Sequence, residues 1–136
     1  MESAPPTNEI DSLGRTAATT IAVARIGIGL GAFVLTRPAL GVLGFDRPDG
    51  RSVALARLAG GRDVALGMHA LAVRDDRARL REASAIATAV DAGDMIAFGA
   101  ALVRRDGIDR TAVKNIPITV AAVVAGIWVT ARLGAA

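Results

Sequence analysis

Four stretches of about 20 mostly apolar residues dominate the chain and limit what it can fold into. They cover roughly residues 16–35, 53–73, 83–103 and 113–133. Each is close to the ~20 residues that an α-helix needs to cross the hydrocarbon core of a bilayer. The last contains IPITVAAVVAGIWVTA, residues 116–131, without a single charge. The sequence therefore predicts an all-α protein, a four-transmembrane-helix bundle with short polar loops, over residues 16–133.

A soluble four-helix bundle is the alternative fold. It would need a polar face on every helix. The last segment has no such face, and the first carries only Arg25 as a charged residue over TAATTIAVARIGIGLGAFVL. A chain of 136 residues has too little interior to bury two helices on all sides. The membrane interpretation is favoured, and the lipid bilayer is the first expected partner.

The segments outside the four apolar stretches are polar. Residues 1–15, MESAPPTNEIDSLGR, lack the basic start of a signal peptide and are predicted to be a disordered tail. Asp11 or Ser12 could cap the first helix. The connections are TRPALGVLGFDRPDGR, RDDRARLRE and RRDGIDR. The apolar centre of the first, ALGVLGF, fits either a short interfacial helix or a loop folded over the bundle.

The membrane orientation is only weakly encoded. Lys and Arg are almost equally numerous in the connections and tails of the two sides, so the positive-inside rule gives no orientation. An even number of helices would place both termini on the same side. The acidic N-terminus without a signal peptide favours a multi-pass protein of the cell (inner) membrane with both termini in the cytoplasm.

Helix contacts in lipid favour small residues, which let backbones approach closely. The third segment has a ladder of small residues at spacing four, and shorter pairs occur in the first and fourth segments. We expect helix contacts at Ala85, Ala89, Gly93, Ala97 and Ala101, at Gly27 and Gly31, and at Ala122 and Gly126.

Charged residues stand in the middle of three of the four apolar segments. Each costs about 2.5–3.5 kcal/mol at the bilayer centre, whereas a large aliphatic residue returns only about 0.3–0.6 kcal/mol. The second segment should therefore be unstable alone in lipid, and we expect its charges to be paired inside the bundle. The predicted buried polar or ligand-binding cluster consists of Arg25, Arg57, Arg62, Asp63, His69, Asp91 and Asp94.

Helical spacing refines this cluster. Asp91 and Asp94 are three residues apart and share a helix face. Arg57 lies about one turn from the helix end and can extend toward the interface. Asp63 points away from the face of Arg62, so it is free to contact a different helix.

The cluster has two interpretations. It could be an ion network that only fixes helix packing, or a working site that binds a ligand, relays protons or performs acid–base catalysis. Three carboxylates exceed the two arginines at mid-membrane, Arg25 and Arg62, which favours a working site. In the catalytic version, Asp91 or Asp94 would be kept protonated by its neighbour's charge. The nearby arginines oppose a metal ion, and with no Cys and one His we predict no metal and no cofactor.

Three functions remain open at this point. The first is a small integral membrane protein that binds a lipid-like or small polar ligand or serves as an accessory subunit. The second is a membrane enzyme acting on an isoprenoid- or quinone-like substrate. The third is an oligomeric proton-coupled transporter, although the two halves show no convincing repeat. A homo-oligomer or a larger membrane complex is expected as partner. Nucleic acid is not, because the basic residues form no single helical stripe.

The second segment also carries a short motif, R-x-x-G-G-R-D-x-x-L-G at residues 57–67. On this motif and the four-segment layout of residues 16–133, the chain resembles small four-helix bacterial membrane proteins loosely akin to the DoxX-like group. The resemblance implies a four-helix integral membrane fold. It implies no particular activity and assigns no role to any residue. The residues that carry it are Arg57, Gly60, Gly61, Arg62, Asp63 and Gly67.

Overall fold

Most of the residues that the structure describes are helical. A computed structural model describes residues 7–135, and side chains from residue 12 onward. The first six residues of the predicted N-terminal tail lie outside this range. Over the described residues the chain forms five helices, α1 (Thr7–Val34), α2 (Thr36–Val42), α3 (Gly50–Ala72), α4 (Arg77–Arg104) and α5 (Asp109–Gly134).

Three of these helices, rather than four, are long and apolar enough to cross a membrane. They are Ser12–Val34, Arg77–Arg104 and Asp109–Gly134. The prediction of a four-transmembrane-helix bundle is therefore wrong. The helix that fails is α3, which has 23 residues but carries Arg57, Arg62 and Asp63 within its apolar stretch. At about 2.5–3.5 kcal/mol per charge, these residues outweigh its aliphatic ones.

The helices extend further into the polar connections than the sequence predicts. α1 already runs through Asp11 and Ser12, and α4 begins well before residue 83. Two aspartates fix new helix starts. The side chain of Asp49 accepts a hydrogen bond from the Ser52 backbone N–H, and that of Asp76 accepts one from Arg79. Aspartate is a preferred N-cap because it satisfies a backbone donor that has no partner within the helix.

The first connection contains α2, so of its two alternatives the short helix is the one that forms. The loop that follows α2 lies against the start of α5. Lys114 donates to the carbonyl of Val42 at 3.3 Å, and Asn115 donates to the carbonyl of Leu43 at 3.3 Å. Asn115 is buried there. These contacts attach the turn between α1 and α3 to the fourth long helix, α5.

Most helix packing lies in two antiparallel pairs, α1 with α3 and α4 with α5. In the first pair the backbones nearly touch. A Cβ atom on Gly29 would lie 2.5 Å from the carbonyl oxygen of Gly60, and one on Gly67 would lie 2.6 Å from that of Ala22. The small residues are spaced by seven on both helices, which is the period of helices that cross at a small angle. Close approach of α1 and α3 therefore depends on these positions.

The small residues expected at helix contacts have a mixed outcome. Gly126 packs directly against Thr88 of α4. A Cβ atom on Gly27, Gly31 or Gly93 would meet nothing within 4 Å. The ladder of α4 is mostly exposed, because its residues lie on the outer face of the described bundle: Ala85, Ala89, Gly93 and Ala97 are exposed and Ala101 is half-buried.

The buried aliphatic core lies at the end of the bundle where α1 starts and α5 ends. It is formed by Ala18, Leu80, Val129 and Leu133. Gly14 contacts Leu133, which brings the first turns of α1 and the last turn of α5 to the same end. Many large aliphatic side chains point outward elsewhere, as expected of helices that face lipid rather than water: Ile28, Val34, Leu58, Ile96, Val103 and Val124 are among them.

Candidate ligand-binding site

Arg25 of α1 links two other helices near the middle of the bundle. Its Nη1 donates to Asp63 Oδ1 of α3 at 2.9 Å, and its Nη2 donates to Asp91 Oδ2 of α4 at 2.5 Å. The Arg25 side chain is only 11% exposed. A planar guanidinium can serve two carboxylates at once because its donors point in different directions. One largely buried side chain therefore links α1, α3 and α4.

A second arginine extends this arrangement across α3 and α4. Arg62 donates to both oxygens of Asp94, at 3.0 and 2.7 Å, and also lies 3.5 Å from Asp63 Oδ1. The side chains of Arg62 and Asp94 are 36% and 35% exposed, so this pair is more accessible than Arg25. The five charges alternate in sign in the order Asp91, Arg25, Asp63, Arg62, Asp94. We refer to them below as the charge cluster.

The charge cluster carries one more carboxylate than guanidinium group. Arg62 and Asp94 form a complete two-bond pair, so the excess falls on the two carboxylates that share Arg25. Among the described residues, Asp91 receives its hydrogen bond on Oδ2 alone. Asp91 is also buried, at 8% exposed. A buried charge without full compensation is costly, and the surplus negative charge beside Arg25 includes this buried carboxylate. Within the cluster, the buried side-chain atom without a hydrogen-bond partner is Arg62 Nε.

Two residues of the predicted site lie apart from the charge cluster. Arg57 is exposed, and its Nε donates to Thr36 Oγ1 of α2 at 3.3 Å. His69 is exposed near the end of α3. The structure thus brings five of the seven predicted residues together and separates these two. In the described part of the chain, no group of three His, Cys, Asp or Glu side chains could hold a metal ion.

A cavity of about 120 Å³ adjoins the charge cluster. All four long helices contribute to its wall, which is mostly alanine and glycine with a few larger aliphatic side chains, and the residues Arg25 and Asp91 lie at one end. α5 contributes no charged residue to this wall. Small side chains opposite one another leave space that longer ones would fill. The charge cluster and the cavity together form the candidate site.

Sequence reasoning missed two polar residues of the cavity, Ser84 and Thr88 of α4. Thr88 donates to the Ser84 carbonyl at 2.7 Å, a bond within its own helix. Both could have been recognised from the sequence, because residues 84, 88 and 91 have the spacing of one helix face. Asp91 is thus the last of three polar residues along the side of α4 that faces the cavity.

Comparison of the chain with protein-family models, with curated protein sequences and with solved structures finds no match. The resemblance to the DoxX-like group accordingly stays a prediction.

Proposed function

We propose that this chain is a small integral membrane protein that binds a small, largely apolar ligand between its long helices. The observation that supports this proposal is the cavity of about 120 Å³ that ends at Arg25 and Asp91. Ligand sites combine apolar walls with a few polar groups that fix orientation. An apolar cavity of about 150 Å³ can hold benzene, so the part of the ligand that enters this smaller cavity is at most the size of one ring or a short branched chain.

The surroundings of the cavity support a membrane location. Three helices are apolar enough to cross a bilayer, which supports a multi-pass protein of the cell membrane. The first turns of α1 and the last of α5 lie at one end of the bundle, which supports termini on the same side, with the acidic N-terminus favouring the cytoplasm. α3 runs back along α1, where its Asp63 pairs with Arg25, and its Arg62 pairs with Asp94 of α4.

Binding is better supported than acid–base catalysis. A catalytic pair of carboxylates would have to face one substrate space. Asp91 lines the cavity, whereas Asp94 does not, and both oxygens of Asp94 are engaged by Arg62. The geometry therefore offers one carboxylate at the ligand position rather than two. The roles of accessory subunit, homo-oligomer and transporter stay predictions.

The proposal can be tested with three ligands that share a phenyl ring with one short polar substituent: benzylamine, benzyl alcohol and benzoate. The detergent-solubilised protein is titrated with each while thermal unfolding is followed by fluorescence of its single tryptophan, Trp128. A ligand that binds the folded state raises the midpoint in proportion to the logarithm of its concentration. We expect at least one of the three to do so.

A matched pair of variants locates the binding. Ala87→Leu places a larger side chain in the cavity, and Ala97→Leu makes the same change on the exposed face of the same helix. The midpoint shift should disappear in Ala87→Leu and persist in Ala97→Leu. If none of the three compounds shifts the midpoint, or if both variants respond like the original chain, the cavity is not a binding site.

A further inference from the structure

We propose that the ligand is a cation, a small apolar amine whose ammonium group lies beside Asp91. This inference rests on the proposed function, because it specifies the ligand of the same cavity. It is carried by the charge imbalance of the cluster and by the position of Asp91 at the end of the cavity.

The charge balance gives the sign of the missing group. Two guanidinium groups, of Arg25 and Arg62, face three carboxylates within hydrogen-bonding distance. The pair of Arg62 with Asp94 is complete, so the unbalanced negative charge belongs to Asp63 and Asp91. Arg57 could have compensated it, but its Nε is bonded to Thr36 of α2. A cationic ligand would complete the cluster.

The geometry places that cation at Asp91 rather than at Asp63. Asp91 lines the cavity and Asp63 does not. The Oδ1 atom of Asp91 accepts no hydrogen bond from the described residues, although Asp91 as a whole is 92% buried (8% exposed). No charged side chain of α3 or α5 lines the cavity. A ligand that reaches this end therefore meets the carboxylate of Asp91 beside Arg25, and no other carboxylate.

An ammonium group matches this position better than the alternatives. It supplies up to three hydrogen-bond donors and a positive charge. An anionic ligand would add a negative charge beside three carboxylates, and a neutral one would leave the imbalance in place. The walls of alanine, glycine and aliphatic side chains would hold the apolar part of the amine. An inorganic cation would gain nothing from these walls.

The same three phenyl compounds separate these cases by charge. Benzylamine, benzyl alcohol and benzoate have almost the same shape but carry a positive charge, no charge and a negative charge at neutral pH. Hydrogen bonds to a charged group predict that benzylamine binds roughly 10- to 100-fold more tightly than benzyl alcohol. Benzoate should bind most weakly. Affinities are obtained from the ligand dependence of the unfolding midpoint.

A second pair of variants tests the role of Asp91. Asp91→Asn removes one negative charge and balances the cluster, so the preference for benzylamine over benzyl alcohol should fall to about twofold or less. Asp46→Asn removes an equal charge from the exposed pair with Arg110, which lies outside the cavity. This control should keep the full preference. Asp91→Glu retains the charge and should keep most of the preference.

The outcomes distinguish this inference from the proposed function. Benzyl alcohol binding as tightly as benzylamine to the original chain would overturn the cationic ligand and leave the cavity as a binding site. Tight benzoate binding would do the same. Absence of binding by all three compounds would overturn the proposed function itself. The ligand series on the unaltered chain separates these outcomes even if Asp91→Asn fails to fold.

Discussion

Arg25 is the residue on which the centre of the molecule depends. It is 11% exposed and its two terminal nitrogens serve carboxylates from two different helices. The sequence shows that Arg25 is a charged residue in the middle of the first apolar segment. The sequence does not show which carboxylate it meets, because partners at separations of 38 and 66 residues depend on how the helices are rotated against each other. The rotation of the helices against each other also decides that Arg57 and His69 lie apart from the charge cluster.

Replacing Arg25 by Gln should be the most damaging single change in the charge cluster. It leaves the buried carboxylate of Asp91 and the half-buried one of Asp63 without the guanidinium group of Arg25. Removing one partner of such a pair costs about 3–5 kcal/mol of stability. Arg62→Gln is the matched control and should cost less, because Arg62 and Asp94 are each about one-third exposed. Reversible unfolding of the solubilised protein in a denaturing detergent measures both. An equal or larger loss for Arg62→Gln would contradict the central position of Arg25.

Replacing Asp91 by Asn should leave stability nearly unchanged or raise it. The change leaves two arginines facing two aspartates, so no buried charge is left uncompensated. The Asn oxygen can still accept from Arg25. This result would separate a site that is held ready for a ligand from a purely structural network, in which loss of Asp91 would cost several kcal/mol. The unfolding assay used for Arg25→Gln gives the comparison.

At the scale of elements, the sequence predicts helices well and contacts between them poorly. The apolar periods of the long helices are local properties, and the helices occur where they indicate. Which residues of α1 and α3 face each other depends instead on tertiary packing. Gly29 and Gly60 allow the close approach of these helices, because a Cβ atom on either would collide with the carbonyl oxygen of the other. The seven-residue spacing of Ala22 with Gly29 and of Gly60 with Gly67 was the available signal. The ladder of α4 was more regular, yet it lies on an exposed face.

Two neighbouring glycines of α3 offer a direct test of that packing. Gly60→Ala places a Cβ atom 2.6 Å from the Gly29 carbonyl oxygen, whereas a Cβ on Gly61 meets nothing within 4 Å. We expect Gly60→Ala to destabilise the protein by about 1–3 kcal/mol, because α1 and α3 must move apart. Gly61→Ala should be neutral or stabilise by up to about 1 kcal/mol through helix propensity. Similar thermal midpoints for the two variants would show that α1 and α3 do not meet at Gly60.

The start of α3 should depend on pH through its N-cap. The hydrogen bond from the Ser52 backbone N–H lowers the pKa of the Asp49 carboxyl below its usual value of 3.8. A lowered pKa in the folded state means that the cap stabilises the helix start fully above about pH 3.8, and that this stabilisation is lost as the pH falls through the lowered pKa. The chemical shift of the Ser52 amide proton follows the loss. Asp49→Asn keeps a capping side chain that does not titrate, so its Ser52 amide should show no such transition.

At the scale of the whole molecule, the outer surface is as informative as the interior. Three helices are apolar enough to span a bilayer, and only small shares of them are buried inside the bundle. Such a surface is unfavourable in water and favourable in lipid. The buried aliphatic core of the described residues is small, which fits helices whose outer faces would be covered by lipid in a bilayer.

The membrane location has a simple test. After expression, membranes are washed with alkaline carbonate, and the protein should remain in the pellet. Release into the soluble fraction would exclude an integral membrane protein.

A second experiment tests the side of the two termini. Short tags are added to the two ends and probed with a protease on intact inverted vesicles and on right-side-out vesicles. Both tags should be cleaved in the same preparation. Cleavage of the two tags in opposite preparations would contradict termini on one side.

The alternating charges also have a consequence for the order in which the chain is made. α1 and α3 leave the ribosome before α4, and together they bring two guanidinium groups and one carboxylate to the cluster, a surplus of one positive charge. α4 then arrives with two carboxylates three residues apart, which that surplus attracts and aligns with Arg25 and Arg62. When α4 docks, the net charge of the cluster changes from one positive to one negative. The attraction that guides α4 into place during synthesis therefore leaves the finished bundle with a negative charge of its own, facing an open space.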